Sequence, residues 1–189
     1  HSVTVFEADR RPGGHSHTVD VTVDGLTFPV DTGFLVFNDR TYPNLVRLFD
    51  ELGVESVPSD MSFSVRNDRA GIEWAGTSLA TLFAQPKNAL KPAYWRMLRE
   101  ILRFNRETTA LELGNRVWSI SLGEYLEERG YSHAFRDWYL VPMAAAIWSS
   151  PSKDILDFPL PSFVRFCHNH GLLAIADRPQ WRTVRGGSR

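Results

Sequence analysis

The first residues of the chain that could do chemistry are a carboxylate and a pair of glycines. An apolar run over residues 3–6 ends at Glu7, and Gly13-Gly14 follows after a charged turn. A carboxylate at the carboxyl end of a parallel strand can accept both hydroxyls of a ribose in an open α/β sheet. A glycine pair lets backbone N–H groups approach a diphosphate. The pattern therefore predicts a buried strand over residues 3–7 with a nucleotide at its end.

This stretch resembles the second half of the FAD-binding motif of the flavin amine oxidase superfamily. In that family an apolar strand ends in glutamate, a turn with a basic residue follows, and then comes Gly-Gly, usually before arginine. Here Glu7, Arg11 and Gly13-Gly14 match, and His15 stands where arginine is usual. The resemblance implies FAD as the cofactor, with Glu7 on the ribose and the glycine turn on the pyrophosphate.

His15 changes how the phosphate contact is expected to form. Arginine can bond two phosphate oxygens at once, whereas a neutral imidazole has one donor and little charge at pH 7. Arg11 resembles the basic residue that the family places before the glycines, and the Ser16 hydroxyl can also donate. We therefore expect Arg11 to supply the contact that arginine usually makes at residue 15, with His15 and Ser16 also in the cofactor-binding set. For His17 we expect only a polar position on an edge strand.

A second stretch, Asp31-Thr32-Gly33-Phe34, resembles the family segment that passes the isoalloxazine ring. The resemblance implies that Thr32, Gly33 and Phe34 contact the flavin, with Gly33 allowing the backbone to approach the ring edge. A simple loop closed by an Asx turn accounts for the same residues equally well. Both interpretations stay open at this point.

The family places a Gly-rich dinucleotide loop just before the strand that ends at Glu7. The chain begins at His1 without that loop, so the resemblance implies the interior of a longer protein. A helix N-terminus normally holds the pyrophosphate in such sites. We therefore expect these 189 residues alone to bind FAD poorly, with lower affinity than the longer protein, and to be inactive.

Local patterns predict a hairpin and a helix after the glycine pair. Apolar residues alternate with polar ones over 18–23 and 26–30, and Asp24-Gly25 is a strong two-residue turn signal. Thr41 is the predicted N-cap of a helix that ends at Gly53. The predicted buried face of that helix consists of Leu45, Leu48, Phe49 and Leu52. Two short strands are predicted over residues 61–65 and 71–74.

The predicted fold class is α/β. It consists of a partial FAD/NAD(P)-binding Rossmann-like domain with a β-hairpin, interleaved with a mostly helical substrate or cap domain. We assign residues 1–58 to the FAD-binding part and 59–170 to the helical part, with 78–170 mostly helix. Residues 171–189 are expected to lead into a further C-terminal part.

Two helical segments allow more than one interpretation. Over residues 93–106, four arginines (Arg96, Arg99, Arg103 and Arg106) recur at helical spacing beside an apolar face. Such a helix can lie on an anionic membrane, but a surface helix with solvated or paired arginines is favoured. Residues 138–148 are apolar nearly all round and predict a buried helix. That helix could line a cavity for an apolar substrate, although ordinary core packing is favoured.

Composition and motifs exclude several classes of protein. A net charge of −1 gives no field that favours nucleic acid, and a single cysteine excludes an internal disulfide framework. Cys167, His168 and His170 lack a second ligand pair, so no metal site is predicted. There is no nucleophile motif and no general base that we would name, so catalytic residues stay unassigned.

The resemblance extends over residues 30–34, 142–148 and 177–181, which look like a bacterial subgroup of predicted NAD/FAD-binding proteins. It implies an FAD-dependent oxidoreductase that moves hydride from a substrate carbon to flavin. The expected substrate is a small apolar or amphipathic molecule, such as a lipid or isoprenoid. An amine oxidase is the alternative, as is a non-catalytic nucleotide-binding or scaffolding protein or an inactive fragment. The expected location is cytoplasmic, including peripheral contact of the 93–106 helix with the inner membrane face.

Overall fold

The structure is a computed structural model that describes residues 2–113, 119–148, 150–173 and 179–189. The chain divides into two compact units, one formed by His1–Met61 with Pro179–Arg189 and the other by Ser62–Arg178. The domain limits suggested by the sequence stay predictions. Within the helical region expected over residues 78–170, positions 114–118 and 149 lie outside the described residues.

The first unit contains strands β1 (His17–Val23), β2 (Leu26–Gly33) and β3 (Phe37–Asn38), helix α1 (Pro43–Leu52) and strand β4 (Ser56–Pro58). The second unit contains β5 (Ser64–Asn67), β6 (Ile72–Ala75), α2 (Leu79–Leu82), α3 (Pro92–Leu113), α4 (Leu122–Glu128), α5 (His133–Phe135), α6 (Val141–Trp148), α7 (Ser152–Ile155) and α8 (Leu160–Asn169). A 3-10 helix at Pro86–Leu90 precedes α3, and a π-helical turn at Arg136–Leu140 precedes α6. Strand β7 (Trp181–Val184) returns to the first unit.

The predicted hairpin is confirmed. Strands β1 and β2 pair antiparallel with Val21 opposite Phe28, so the alternating apolar side chains share one face. Asp24 and Gly25 form the turn with φ of +51° and +77°. Positive φ at both central positions matches the right-handed twist of the two strands.

The buried strand predicted over residues 3–7 is wrong for this structure. Val3, Val5 and Phe6 are 82%, 79% and 93% exposed, and the segment has no regular secondary structure. A strand is stable only when its N–H and C=O groups pair with a neighbour, and no described residue pairs with this segment. Every strand pair in the described residues is antiparallel, so the parallel Rossmann sheet is not confirmed. The coarser α/β class holds.

Strand β7 lies between β3 and β4 in a three-stranded sheet. It pairs antiparallel with both, with Phe37 opposite Arg182 and Val57 opposite Thr183. Phe37 and Trp181 are buried there. The last residues of the chain therefore complete a sheet whose other strands come from its first third.

Helix α1 ends at Gly53 as predicted, with φ of +66° at that residue. Its N-cap is Tyr42 and not Thr41, because the Thr41 N–H and hydroxyl both donate to Asn38 Oδ1, at 2.9 and 3.1 Å. The predicted buried face is also wrong, since Leu48 and Leu52 are 46% and 67% exposed. Periodicity identifies which side of a helix is apolar, but burial requires a surface that covers it.

The second unit has a hairpin that packs on a helical core. The predicted strand pair is confirmed with shifted limits, as β5 and β6 with a turn at Asp68–Gly71. Val65, Ile72 and Trp74 from the hairpin join that core. Its largest fully buried side chains on the helices include Tyr94, Met97, Phe104, Leu122, Tyr125, Phe135, Leu140, Ile155, Leu160 and Phe163.

Two of the four arginines on α3 pair with acidic residues one turn away. Arg96 Nε lies 3.0 Å from Glu100 and Arg103 Nε lies 3.4 Å from Glu107. The Glu100 carboxylate is buried and also accepts from the Ser132 N–H and hydroxyl. The two Ser132 bonds link α3 to the start of α5. Arg99 and Arg106 are exposed.

The segment predicted as an all-round buried helix, 138–148, is partly exposed. Its buried side chains are Tyr139, Leu140, Val141, Met143 and Ala144, while Ala146 and Ile147 face solvent. On α8, Cys167 is fully buried, and burial raises the pKa of its thiol to about 12. Among the described residues, no helix is long and apolar enough to cross a membrane.

The Asp31 carboxylate links the last residues of the chain to the hairpin by hydrogen bonds. Its Oδ1 accepts from the Thr18 hydroxyl at 2.6 Å and from the N–H and hydroxyl of Ser188 at 2.9 and 3.1 Å. Partial burial raises the pKa of Asp31, but these three bonds outweigh it and hold the pKa below its ordinary range. Gly187 fits beside Thr18 because a Cβ there would lie 2.4 Å from Thr18 Cγ2.

We predict that Asp31→Asn lowers the free energy of unfolding by about 1 kcal/mol at neutral pH, because a charged acceptor is lost. A carboxyl whose pKa is lowered by folding stabilises the folded protein at pH values above its unfolded pKa, about 3.9 for aspartate. That stabilisation is lost as the pH falls through the pKa of the folded state. The difference from wild type should therefore shrink below about pH 4. Urea unfolding from neutral to acidic pH measures it, with the exposed Asp50→Asn as control. Equal pH slopes for wild type and Asp31→Asn would contradict the prediction.

Candidate functional site

The Gly13-Gly14 pair forms a tight, exposed turn before β1. The Ser16 N–H donates to the Gly13 carbonyl at 3.0 Å. Gly13 and Gly14 have φ of +112° and +56°, a backbone conformation that other residues adopt only at a cost. The N–H groups of Gly14 and His15 have no acceptor among the described residues.

Arg11 folds back over this turn. One guanidinium nitrogen, Nη1, donates to the carbonyls of Pro12, at 3.2 Å, and Ser16, while Nη2 donates to the Gly14 carbonyl at 2.7 Å. The sequence places Arg11 near the phosphates, and in this structure its donors meet the carbonyls of its own loop. Sequence reasoning missed this arrangement, because the pattern identifies a basic residue but not the direction of its side chain.

Gly33 joins the turn to the end of β2. A Cβ at this position would lie 1.9 Å from the His15 carbonyl oxygen, so the His15 backbone occupies the place of a side chain. Next to it, the Thr32 hydroxyl donates to the His17 carbonyl at 3.1 Å and lies 3.0 Å from its Nδ1. The structure therefore requires glycine at residue 33 for packing, and its contact with a flavin stays a prediction.

Phe34 continues from Gly33 in a strained conformation. Its φ is +47°, which is rare for a bulky residue and costs about 1–3 kcal/mol. Its ring stacks on Phe37 with centroids 6.4 Å apart and planes at 11°. Strain of this kind persists only where neighbouring contacts hold it, and no sequence signal indicates it.

Glu7 stands apart from this group. Its Oε1 accepts from the Asp9 N–H at 2.9 Å, and its side chain is exposed. In the described contacts it does not touch the turn. The structure thus brings together seven of the nine predicted site residues and leaves out Glu7 and Phe34. The seven are Arg11, Gly13, Gly14, His15, Ser16, Thr32 and Gly33.

A separate cleft of about 250 Å³ opens between α1 and the β3–β7–β4 sheet. Its lining residues are Phe37, Asp39, Val46, Phe49, Asp50, Val54, Ser56 and Arg182. Ser56 holds the Arg182 guanidinium through its hydroxyl and its carbonyl, both at 2.9 Å. Sequence reasoning missed this cleft because its walls come from both ends of the chain. Its lining combines apolar side chains with two carboxylates and one guanidinium.

The geometry defines a protein with an exposed glycine turn, closed by Arg11, at the open end of a β-hairpin. The family model described as flavin containing amine oxidoreductase matches residues 1–116, which is more than half of the chain. The chain belongs to this family, so the resemblance seen in the sequence is confirmed. FAD is the family's cofactor. No curated protein matches the chain.

We predict that Gly33→Ala weakens FAD binding by about tenfold or more, equivalent to at least 1.4 kcal/mol. The added methyl group overlaps the His15 carbonyl, so the turn must move away from β2. Flavin fluorescence titration measures the affinity. Gly76→Ala is the control, since a Cβ there meets nothing nearer than 3.9 Å. Equal affinities for the two variants would show that the His15 contact does not position the site.

Proposed function

We propose that the protein is an FAD-dependent oxidoreductase that removes hydride from a carbon of an apolar or amphipathic substrate, with the FAD pyrophosphate on the Gly13-Gly14 turn. The supporting observation is the pair of N–H groups, of Gly14 and His15, that have no acceptor among the described residues. Successive N–H groups in a turn with left-handed residues form a concave anion site. The diphosphate of FAD has the charge and size for such a site.

The other predicted residues fit the remaining parts of the cofactor. A carboxylate has two acceptor oxygens, and the Asp9 N–H engages only Oε1 of Glu7, so Oε2 suits a ribose hydroxyl. Ser16, Thr32 and Phe34 are proposed on the pyrophosphate and flavin side. Bound FAD would supply the two-electron acceptor, while the protein binds, orients and excludes water. No described residue is proposed as a general base.

Amine oxidation is the second candidate, because the family description names amines. An amine substrate favours a cage of aromatic rings around its cation. The second unit has an aromatic cluster, formed by Phe104, Tyr125, Tyr131 and Phe135. Its own Arg103 lies 3.8 Å above the Tyr131 ring, so this cluster already holds a cation. That observation argues against this cluster as a cage for an amine substrate.

Flavin reduction tests the proposed function. We expect the intact protein to be purified yellow and to bleach under anaerobic conditions with isoprenoid or fatty substrates. Bleaching with primary amines alone would replace the proposal with amine oxidation. A colourless protein that takes up no FAD would support the non-catalytic alternative.

A Gly13→Val variant, whose side chain obstructs the turn, should lose the yellow colour. The matched Gly130→Val variant lies in the second unit, also at positive φ, and should keep it.

An exposed face of α3 supports access to a substrate held in a membrane. Trp95, Arg99, Leu102 and Arg106 recur at helical spacing and are all exposed. The other two arginines of the helix are engaged by Glu100 and Glu107. Apolar and cationic groups on one face match a surface of anionic lipid. We propose that this face contacts the headgroup region of such a membrane.

Vesicle binding tests this contact. The double variant Arg99→Gln/Leu102→Ser should weaken binding to phosphatidylglycerol vesicles by about tenfold, because it removes one charge and one apolar anchor. The control Arg47→Gln/Leu52→Ser changes an exposed arginine and an exposed leucine on α1 and should bind as wild type. Equal binding to uncharged phosphatidylcholine vesicles, or a concentration-dependent dimer lost in the double variant, would contradict a lipid contact.

A further inference from the structure

Arg11 makes the densest set of contacts in the candidate site. Its guanidinium donates to three carbonyls, those of Pro12, Gly14 and Ser16. We propose that Arg11 is a positioning residue that holds the Gly13-Gly14 turn in its anion-binding shape, and that it is not itself a phosphate ligand. The statement that Arg11 is not a phosphate ligand rests on the proposed function. The statement that Arg11 holds the shape of the turn does not.

The planar peptide bond explains how bonds to carbonyls direct the N–H groups. In a trans peptide the C=O of one residue and the N–H of the next point in opposite directions. The described residues contain no cis peptide. When Arg11 draws the Gly14 carbonyl toward itself, the His15 N–H must therefore point away from Arg11. The Pro12 carbonyl fixes the Gly13 N–H in the same way.

The shape of the turn depends on glycine as well as on Arg11. A Cβ on Gly13 would lie 3.3 Å from Arg11 Nη1 and 3.2 Å from the Ser16 carbonyl oxygen. A side chain there would push these neighbouring atoms by a few tenths of an ångström, and the φ of +112° would strain it as well. The glycine therefore allows the guanidinium to close over the turn. The Ser16 N–H bond to the Gly13 carbonyl closes the same turn from the other side.

The contacts use the specific geometry of arginine. Guanidinium is planar with five N–H donors in a fixed fork, whereas ammonium is a compact point charge on a flexible stem. Two neighbouring nitrogens reach three carbonyls that lie on one side of the loop. Lysine keeps the positive charge but cannot reproduce this fork. A positioning role and a charge role can therefore be separated by Arg11→Lys.

The first measurement needs no cofactor. Backbone ¹⁵N order parameters of Gly13, Gly14 and His15 report the rigidity of the turn. In wild type we expect values near 0.85, and in both Arg11→Lys and Arg11→Gln values below about 0.6, the range of flexible backbone. Arg10→Lys and Arg10→Gln are the matched controls, because neighbouring Arg10 touches none of these carbonyls in the described contacts. Unchanged order parameters in the Arg11 variants would overturn the positioning role.

The second measurement is affinity for FAD and for inorganic pyrophosphate, by fluorescence and calorimetry. A positioning residue predicts a similar loss, about tenfold, in Arg11→Lys and Arg11→Gln. Wild-type affinity in Arg11→Lys with a loss in Arg11→Gln would identify a direct phosphate ligand and overturn the proposal. If wild type binds neither probe, the proposed function fails, while the order parameters still decide whether Arg11 shapes the turn.

Discussion

The first unit depends on the pairing of β7 with both β3 and β4. These two outer strands do not pair with each other, so β7 is their shared partner in the described residues. Each outer strand is only two or three residues long, and such short strands are not stable alone. The contact of Ser188 with Asp31 extends the same dependence to the hairpin. The folded first unit therefore includes strands from the first third of the chain and from its last residues.

This dependence determines what positions the candidate site. The turn of the hairpin is specified by its own residues. The contacts that position the candidate site lie at the other, open end of the hairpin. There the His15 backbone packs on Gly33, and the Thr32 hydroxyl bonds the His17 carbonyl. The Gly13-Gly14 turn is thus attached to a strand by packing with no side chain between. A small displacement of β2 would move the N–H groups that are proposed to bind the pyrophosphate.

Sequence signals predicted the elements that depend on neighbours in the chain. Asp24-Gly25 specified the hairpin turn and Gly53 the end of α1, because both act through local backbone conformation. Predictions that needed a distant partner were wrong: residues 3–7 form no strand, and Leu48 is exposed. The candidate site follows the same rule, since the pattern places Arg11, Gly13 and Gly14 in one local turn. The fork of Arg11 and the packing of Gly33 depend on side-chain direction and close approach, which spacing does not encode.

There is a physical reason why the sequence indicates the cofactor but not the substrate. The family match ends at residue 116, after it has covered the turn, the hairpin and Phe34. Backbone N–H groups that bind a diphosphate need turns that few residues other than glycine can adopt, so their sequence pattern is restricted. An apolar substrate is held by side-chain surface that many sequences can provide. The cofactor could therefore be inferred from a short motif, whereas the substrate must be identified by measurement.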